Sequence, residues 1–317
     1  MVSTVRAERA VDDAALTHDG LLYRDRDDYL AGVIGFLLAG LRAGQPIFVA
    51  VPEPNLAAIR DRLNGAGADI RFADMSEIGR NPGRIMPAIH RFVDAHPARR
   101  VRFVGEPIWA GRSAAEIQEA TRHEAMLNIA FRRTAVDILC PYDVTRLAPQ
   151  VIDDAWRTHP GMYDAARHRH SAHYADPAQI YADGEPLPDP PGDVPVVAVD
   201  GDDVAGLRRC VLEFALASGL APRRCHDLVL AVNEITTNTI VHTPGSGTLR
   251  LWSTPDSVVC EIRDTGFIAD PLAGRRPPSD GADHGRGLWM ANELCDLVQL
   301  RSSAAGTTIR LQVDRTG

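Results

Sequence analysis

Lysine is missing from this chain of 317 residues, and all 34 of its basic residues are arginine. A P-loop needs a lysine that reaches the β- and γ-phosphates, and protein kinases need a strand lysine for the α- and β-phosphates. Schiff-base catalysis needs a lysine amine. No G-x-x-x-x-G-K-[ST] motif occurs either. The sequence therefore excludes these classes of enzyme.

Long apolar runs are also missing. The apolar stretch at 33–41 is much shorter than the roughly 20 residues that span a bilayer, and it is typical of a core helix. Residues 1–20 contain no apolar signal segment. We therefore expect a cytoplasmic protein with no membrane association.

Neither cysteine nor histidine is arranged as a metal site. The five cysteines are scattered without a C-x-x-C pair, which indicates buried free thiols rather than a disulfide framework or a zinc site. His168, His170 and His173 fit neither one helix face nor a zinc knuckle, and this pattern predicts a solvated helix.

Basic charge is in short supply as well, since the formal net charge is −8. Phosphate binding needs a basic surface, so we expect no direct contact with nucleic acid. Hydrophobic residues make up 45% of the chain and charged residues 24%, as in soluble globular proteins. The length predicts two domains, each with its own core.

Short apolar runs alternate with helical stretches between residues 18 and 155. This alternation favours βαβ units and a mainly parallel sheet with helices on both faces. Strands are predicted at 20–23, 46–51, 70–73, 101–107 and 136–143, and helices at about 26–43, 53–64, 83–95 and 113–132. The last helix carries a charged face (Glu116, Glu119, Arg122, Glu124), which is by default a solvated one.

A stretch rich in proline, glycine and aspartate, 181–195, separates this region from a second one. Such a composition buries almost nothing, and consecutive prolines keep the backbone extended. We therefore place a linker there, between a first domain at 1–180 and a second at 196–317. In the second domain, helices alternate with strands of a mostly antiparallel sheet, which predicts an α/β sandwich.

One predicted helix of the second domain, 222–242, carries polar groups within an apolar run. Glu234, Asn238 and His242 are spaced four residues apart and therefore share one face. A buried unpaired carboxylate is costly, so this face must meet a cavity, a partner or water. Taken alone, the pattern is typical of a solvated face, with His242 at the negative end of the helix dipole.

Three further motifs follow in order. "RDTG" places Asp264 and Gly266 after a strand, "HGRGLWMANEL" places Gly285 and Gly287 before a helix, and "GTT" opens the last strand at Thr307. Glycines at a helix start let backbone N–H groups approach an anion. The order E-x-x-x-N, D-x-G, G-x-G-L, G-T resembles the GHKL (Bergerat) ATPase fold over about 195–317. Histidine kinases, gyrase-type ATPases, Hsp90 chaperones and anti-sigma-factor serine kinases share this fold.

The resemblance implies a site for ATP and Mg²⁺. Asn238 would help to hold Mg²⁺, and Asp264 would accept the adenine amino group. Gly285 and Gly287 would form the hinge of a phosphate-facing lid, and Thr307 would lie near adenine.

The compact size and the helix "LVLAVNEITTNTIVH" are most similar to the anti-sigma-factor branch. This implies binding to a sigma factor, phosphorylation of a serine or threonine on an anti-anti-sigma (STAS-type) protein, and a homodimer. Glu234 would be the catalytic base that orients a hydroxyl or water towards the γ-phosphate. Ile268, however, stands where the first glycine box usually has its second glycine.

Two alternatives to a serine kinase therefore stay open. One is a non-catalytic binding module with a decayed nucleotide site. The other is a histidine-kinase-like signalling protein, although no phosphoacceptor hairpin precedes the domain and the connection is proline-rich rather than a coiled coil.

The N-terminal half resembles the MEDS sensory domain over about 15–175. The similar stretches include "HDGLLYRDRDDYLAGVIGFLLAGLRAGQPIFVAVPEPNLAAIRDRL", "GEPIWAGRSAAEIQEATRHEAMLN" and "CPYD". The resemblance implies a RecA-like α/β sheet without nucleotide machinery, in agreement with the missing P-loop. Ligands of open α/β sheets bind beyond the carboxyl ends of strands, which makes His18, Glu106, Trp109 and Asp143 candidate sensor residues. An alternative remains for two of them, in which Glu106 and Pro107 cap a strand and Trp109 packs against a helix.

Overall fold

The computed structural model of the chain describes residues 15–65, 70–164, 167–182, 186–201, 203–243, 247–278 and 286–315. The chain divides into two compact units, residues 1–181 and 182–317. Both are mixed α/β structures, which confirms the predicted fold class. None of the helices among these residues is long and apolar enough to cross a membrane.

The first unit is built on a seven-stranded sheet in the order β3-β2-β4-β5-β1-β6-β7. Neighbouring strands are parallel except for the antiparallel pair of β6 and β7. The predicted parallel sheet is therefore confirmed. The strands are β1 (Thr17–Tyr23), β2 (Ile47–Val51), β3 (Arg71–Asp74), β4 (Val101–Gly105), β5 (Val136–Asp143), β6 (Gly161–Asp164) and β7 (Arg167–His170).

Helices follow the strands of this sheet as the alternating pattern predicts. Asp25 caps the first of them by accepting a hydrogen bond from Asp28 N, and Ser113 and Glu116 form a capping box before the fifth. The helices are α1 (Arg26–Arg42), α2 (Glu53–Leu63), α3 (Met75–Ile78), α4 (Ile85–Asp94, preceded by a 3-10 turn at Pro82–Arg84), α5 (Ala114–Ala130), α6 (Pro149–Thr158) and α7 (Pro177–Ala182).

The prediction of a solvated charged face on α5 is wrong. Glu119, Arg122 and Glu124 are 1%, 4% and 0% exposed. Helix α6 packs against α5, and the Arg122 guanidinium lies 4.2 Å from the centre of the Tyr181 ring. Tertiary contacts thus bury a helix face that, from its charged composition alone, would be expected to be exposed to solvent.

The predicted helix around the three nearby histidines is also wrong. His168 and His170 belong to β7, which pairs with β6 across a short connection. They are exposed, as is His173. Solvent exposure was therefore predicted correctly, but the secondary structure was not.

The second unit is an α/β sandwich. Its five-stranded sheet has the order β11-β12-β10-β9-β8, and every neighbouring pair is antiparallel. Helices pack on the sheet over a core of aliphatic residues that includes Val211, Leu228, Ile235, Leu251 and Ile262. The elements are β8 (Val196–Val199), α8 (Val204–Ala217), α9 (Pro222–His242), β9 (Gly247–Ser253), β10 (Ser257–Asp264), α10 (Arg286–Leu294), β11 (Leu297–Ser303) and β12 (Gly306–Asp314).

A fully buried carboxylate, Glu261, lies in the middle of this sheet and is surrounded by arginines. Arg250 in β9 and Arg310 in β12 are its cross-strand partners, and both donate to it, as does Arg263 at 2.7 Å. Burial alone would raise the pKa of Glu261, but the hydrogen bonds from Arg250 and Arg310 and the charges of Arg310 and Arg263 hold it below its ordinary value. The ionised carboxylate therefore stabilises the folded unit.

Part of the predicted linker lies against the same cluster. Pro188 O accepts a hydrogen bond from Arg310, and the Asp189 carboxylate lies 3.4 Å from Arg250 and from Arg263. Leu187 is buried. The proline-rich segment thus contributes contacts to the second unit in spite of its composition.

Glu261→Gln should lower the free energy of unfolding of the second unit by about 2 kcal/mol at neutral pH. This is less than the loss of roughly 3–5 kcal/mol for fully buried ion pairs, because Arg263 remains 39% exposed and keeps part of its hydration. The folded pKa is depressed, so the stabilisation is present above the unfolded pKa of about 4 and disappears as the pH falls. Urea denaturation near neutral pH and near pH 3 measures it. The exposed hairpin-turn variant Asp256→Asn is the control, and equal midpoints for both variants would contradict the assignment.

Candidate functional site

Helix α9 places Glu234 and Asn238 one turn apart on the same face. Both side chains are half-buried, and neither is engaged in a hydrogen bond or ion pair with another described residue. Gly287, in the first turn of α10, lies against both: a Cβ built on it would lie 2.8 Å from Asn238 Nδ2 and 3.4 Å from Glu234 Oε2. The structure therefore brings together three residues that the sequence motifs singled out, while His242 is exposed.

Asp264, at the end of β10, is held by hydrogen bonds on both carboxylate oxygens. Its Oδ2 accepts from the Thr239 hydroxyl at 2.7 Å, and its Oδ1 accepts from Gly266 N at 2.8 Å. Thr239 follows Asn238 on α9, so this contact ties β10 to the helix that carries Glu234. Each carboxylate oxygen has a second lone pair and can accept one more hydrogen bond from a ligand.

Thr307 closes the loop that follows Asp264. Its hydroxyl donates to Gly266 O at 2.8 Å and lies 2.7 Å from Ser302 Oγ. Ser302 Oγ in turn accepts from Ile268 N at 2.8 Å. Two strands of the sheet, β11 and β12, thus fix the course of the D-x-G segment.

Ile268 occupies the position of the second glycine without backbone strain. Positive φ angles at non-glycine residues occur only at Asn64 and Ala98 within the described ranges, so Ile268 has an ordinary φ. Its side chain is partly buried and packs against the core of the second unit. The departure from the D-x-G-x-G pattern is therefore accommodated by packing.

The residues present fit ATP and Mg²⁺. Asn238 offers an amide oxygen, and oxygen ligands of this kind suit Mg²⁺. Gly287 lies in the first turn of a helix, where backbone N–H groups favour phosphate. Gly285, the other predicted lid residue, lies outside the described residues.

Polar groups also gather at the carboxyl edge of the parallel sheet in the first unit. Glu106 directly follows β4 and accepts hydrogen bonds from the Tyr23 hydroxyl at 3.1 Å, the Tyr29 hydroxyl at 3.3 Å and Asn55 Nδ2 at 2.8 Å. Burial raises the pKa of Glu106 to about 7, although these three hydrogen bonds lower it. Burial and the Glu106 charge also raise the pKa of Tyr23.

The other three candidate sensor residues have different surroundings. Asp143, at the end of β5, accepts hydrogen bonds from the turn that follows it, and its charge contributes to the raised pKa values of Tyr23 and Glu106. The Arg112 guanidinium lies 4.3 Å from the centre of the Trp109 ring. His18 belongs to a separate buried cluster.

His18 lies in this cluster with Glu124, Cys140 and His159. Its Nε2 is 3.0 Å from Glu124 Oε2, and His159 Nε2 is 3.4 Å from the same oxygen. Burial would raise the pKa of Glu124, but its close contacts with His159 and His18 hold it well below its ordinary value. Burial raises the pKa of the Cys140 thiol and lowers that of His159.

Comparison with known families agrees with this two-part architecture. Residues 17–160 match the family model of the MEDS domain, the methanogen/methylotroph DcmR sensory domain. Residues 197–313 match that of the histidine kinase-like ATPase domain. The chain therefore joins a MEDS domain to a histidine kinase-like ATPase domain. ATPase domains of this family bind ATP, typically with Mg²⁺.

Among solved structures, the chain is similar to the crystal structure of the RsbU and RsbW domains of Rv1364c from Mycobacterium tuberculosis. The similarity covers 64% of this chain and 49% of that chain, at 14% sequence identity and a TM-score of 0.29. The chain thus spans about half the length of that structure, and a similarity this weak supports no argument about function. No curated protein matches the sequence.

The sequence motifs did not reveal the residues that hold the site in place. In the ATPase domain, Thr239 and Ser302 position Asp264 and Ile268, and the only sequence signal for Thr239 is its place next to Asn238 on the same helix. In the MEDS domain, Tyr29 and Asn55 come from α1 and α2, and no local pattern connects them with Glu106. These contacts depend on how the helices pack.

Glu106→Gln should flatten the pH dependence of the stability of the MEDS domain. The pKa of Glu106 is raised by burial to about 7, above roughly 4 in an unfolded chain. The folded state therefore binds the proton more tightly, and this group makes the wild type less stable by about 2 kcal/mol as the pH rises from about 5 to about 8. Glutamine does not titrate, so the variant should lack this change.

Urea denaturation across this pH range measures the effect, with Glu77→Gln as a control because Glu77 is exposed. A pH dependence in Glu106→Gln equal to that of the control would contradict the assignment.

Proposed function

We propose that this chain is a regulator of the anti-sigma type, with an ATPase domain that binds ATP·Mg²⁺ and a MEDS domain that controls it. The proposal rests on two polar side chains, Glu234 and Asn238, that lie against the backbone of Gly287. Neither makes a hydrogen bond or ion pair with another described residue. A solvated helix face would not require the contact with Gly287. It would also not require a neighbouring Asp264 carboxylate held by two hydrogen bonds.

In this proposal, ATP lies between α9 and the D-x-G segment. Asp264 accepts a hydrogen bond from the adenine amino group. It does so through the carboxylate lone pairs that the hydrogen bonds from Thr239 and Gly266 do not use. Thr307 supports the adenine end through its hydrogen bond to Gly266 O. Asn238 would supply an oxygen ligand to Mg²⁺, and the bound ion would compensate the charge of the phosphates.

Glu234 is the residue that could make the domain a kinase. It lies one helical turn from Asn238, and it has no competing hydrogen bond among the described residues. A carboxylate in this position can accept the proton of a serine or threonine hydroxyl and orient its oxygen towards the γ-phosphate. The acceptor we propose is a STAS-type anti-anti-sigma protein, and the partner held by the domain is a sigma factor.

In the MEDS domain, the proposed sensory site lies at the carboxyl edge of the parallel sheet. Glu106, Tyr23 and Asp143 meet where three neighbouring parallel strands end, the edge at which open α/β sheets bind ligands. A carboxyl group with a pKa near neutrality at that edge suits recognition of a small polar ligand. We therefore place the sensory site at Glu106 rather than at Trp109.

The full chain, titrated with ATP and Mg²⁺ in a thermal-melting experiment, tests nucleotide binding. ATP·Mg²⁺ at 100 times its dissociation constant should add about 2.7 kcal/mol to the stability of the ATPase domain. Absence of any shift would instead favour a binding module with a decayed site.

Labelled ATP and a STAS-type protein test the kinase step. Acid-stable phosphoserine or phosphothreonine on that protein is the expected product. Acid-labile phosphate on this chain would instead indicate a histidine-kinase-like protein.

A further inference from the structure

Four side chains from distant parts of the MEDS domain converge in its interior. His18 comes from β1, Glu124 from α5, Cys140 from β5 and His159 from the position after α6, and all four are buried. Each offers one nitrogen, oxygen or sulfur atom, and these atoms lie within 4.8 Å of one another. Donor sets of imidazole, carboxylate and thiolate are typical of zinc-class cations.

Four of the six separations between the donor atoms are close to the edges of a zinc tetrahedron, and all six are within 4.8 Å. Zinc bonds of about 2.0–2.1 Å to nitrogen and oxygen, and about 2.3 Å to sulfur, give edges of roughly 3.3–3.6 Å. Glu124 Oε2 lies 3.0 Å from His18 Nε2, 3.4 Å from His159 Nε2 and 3.3 Å from Cys140 Sγ. Cys140 Sγ lies 3.5 Å from His18 Nε2.

Hydrogen bonds outside the cluster orient both imidazoles for coordination through Nε2. His159 Nδ1 lies 2.9 Å from the carbonyl oxygen of Ala155, which can only accept, so Nδ1 carries the proton. His18 Nδ1 lies 3.1 Å from Asn128 Oδ1. The amide nitrogen of Asn128 donates to backbone carbonyls, including Thr158 O at 2.8 Å, which identifies Oδ1 as the atom facing His18. Histidine ligands of metals are held by contacts of this kind.

This arrangement is unfavourable for a cluster of side chains alone. His159 carries its proton on Nδ1, so in its neutral form the Nε2 lone pair points at the Glu124 carboxylate. Within the described part of the chain, His159 Nε2 and Glu124 Oε1 are buried and make no hydrogen bond. A divalent cation at the centre turns the converging lone pairs into bonds. The charges of one carboxylate and one thiolate then cancel that of the cation, as a buried site requires.

We propose that His18, Glu124, Cys140 and His159 form a tetrahedral zinc site in the core of the MEDS domain. All four positions are filled by protein ligands, so the site is closed and binds its metal without an open position for substrate. The Cys140 thiol loses its proton to solvent when the metal binds, and the thiolate becomes the sulfur ligand. The bound ion ties two neighbouring strands, β1 and β5, to α5 and to the end of α6.

Metal analysis and cobalt substitution of the full chain test the proposal. We expect one zinc ion per chain after purification without chelators. Chelator treatment followed by Co²⁺ should produce the absorption of tetrahedral cobalt with a thiolate-to-metal charge-transfer band. Cys140→Ser should remove that band, and His159→Asn should weaken Zn²⁺ binding by about tenfold or more.

Two control variants separate this site from incidental binding. Cys210→Ser changes a thiol in the other unit, and His170→Asn changes an exposed imidazole on β7; neither should alter metal content. If Cys140→Ser does not fold, protection of Cys140 from alkylation by Zn²⁺ in the wild type decides the question. Substoichiometric zinc with no cobalt spectrum, a spectrum that persists in folded Cys140→Ser, or alkylation that Zn²⁺ does not slow would overturn the proposal.

Discussion

Asn238→Ala should abolish the stabilisation of the ATPase domain by ATP·Mg²⁺. The amide oxygen of Asn238 is the proposed protein ligand of Mg²⁺, and alanine has no oxygen to replace it. Without the ion, the charges of the phosphates are uncompensated at the start of α10, and binding that depends on Mg²⁺ is lost. The shift of about 2.7 kcal/mol expected for the wild type at 100 times its dissociation constant should therefore fall to the level seen with Mg²⁺ alone.

Asn233→Ala is the matched control, because it makes the same substitution on the same helix outside the Glu234–Asn238 face. Its melting temperature should still rise with ATP·Mg²⁺. Both variants should have similar melting temperatures without nucleotide, because Asn238 makes no hydrogen bond with other described residues. Wild-type affinity in Asn238→Ala would refute the proposed role.

Glu234→Gln should slow phosphoryl transfer to a STAS-type protein by about 10²–10⁴-fold, the usual contribution of a positioned general base. Glutamine has nearly the same shape as glutamate but does not accept the hydroxyl proton. The adenine and Mg²⁺ contacts in the proposal do not involve Glu234, so nucleotide-dependent melting should stay close to that of the wild type. Single-turnover phosphorylation assays measure the first effect and thermal melting the second.

Glu213→Gln, on the exposed side of α8, is the control for this second variant. It should transfer phosphate at the wild-type rate. A Glu234→Gln variant that binds ATP·Mg²⁺ normally and still phosphorylates at the wild-type rate would show that another group orients the acceptor. Loss of binding together with transfer would place Glu234 in the nucleotide site instead.

The sequence by itself determined most of the secondary structure and the local part of the candidate nucleotide site. The helix predicted at about 26–43 is α1, and the strand predicted at 136–143 is β5, because each has a periodic or continuous apolar pattern that needs no distant partner. The spacing of Glu234 and Asn238 puts them on one helix face for purely geometric reasons. Motif order alone could then associate them with Asp264.

Only the tertiary structure decided which polar groups are buried and which side chains they contact. By composition, the charged face of α5 is typical of a solvated helix. In the structure, α6 and the seven-stranded sheet cover this face, and Glu124 becomes the centre of a buried cluster. His18 and Glu124 are 106 positions apart in sequence, and the parallel strands β1 and β5 are neighbours although three further strands, β2, β3 and β4, lie between them in the chain. Hydrophobic periodicity reports what each segment buries, whereas the convergence of four distant polar side chains depends on how the segments pack together.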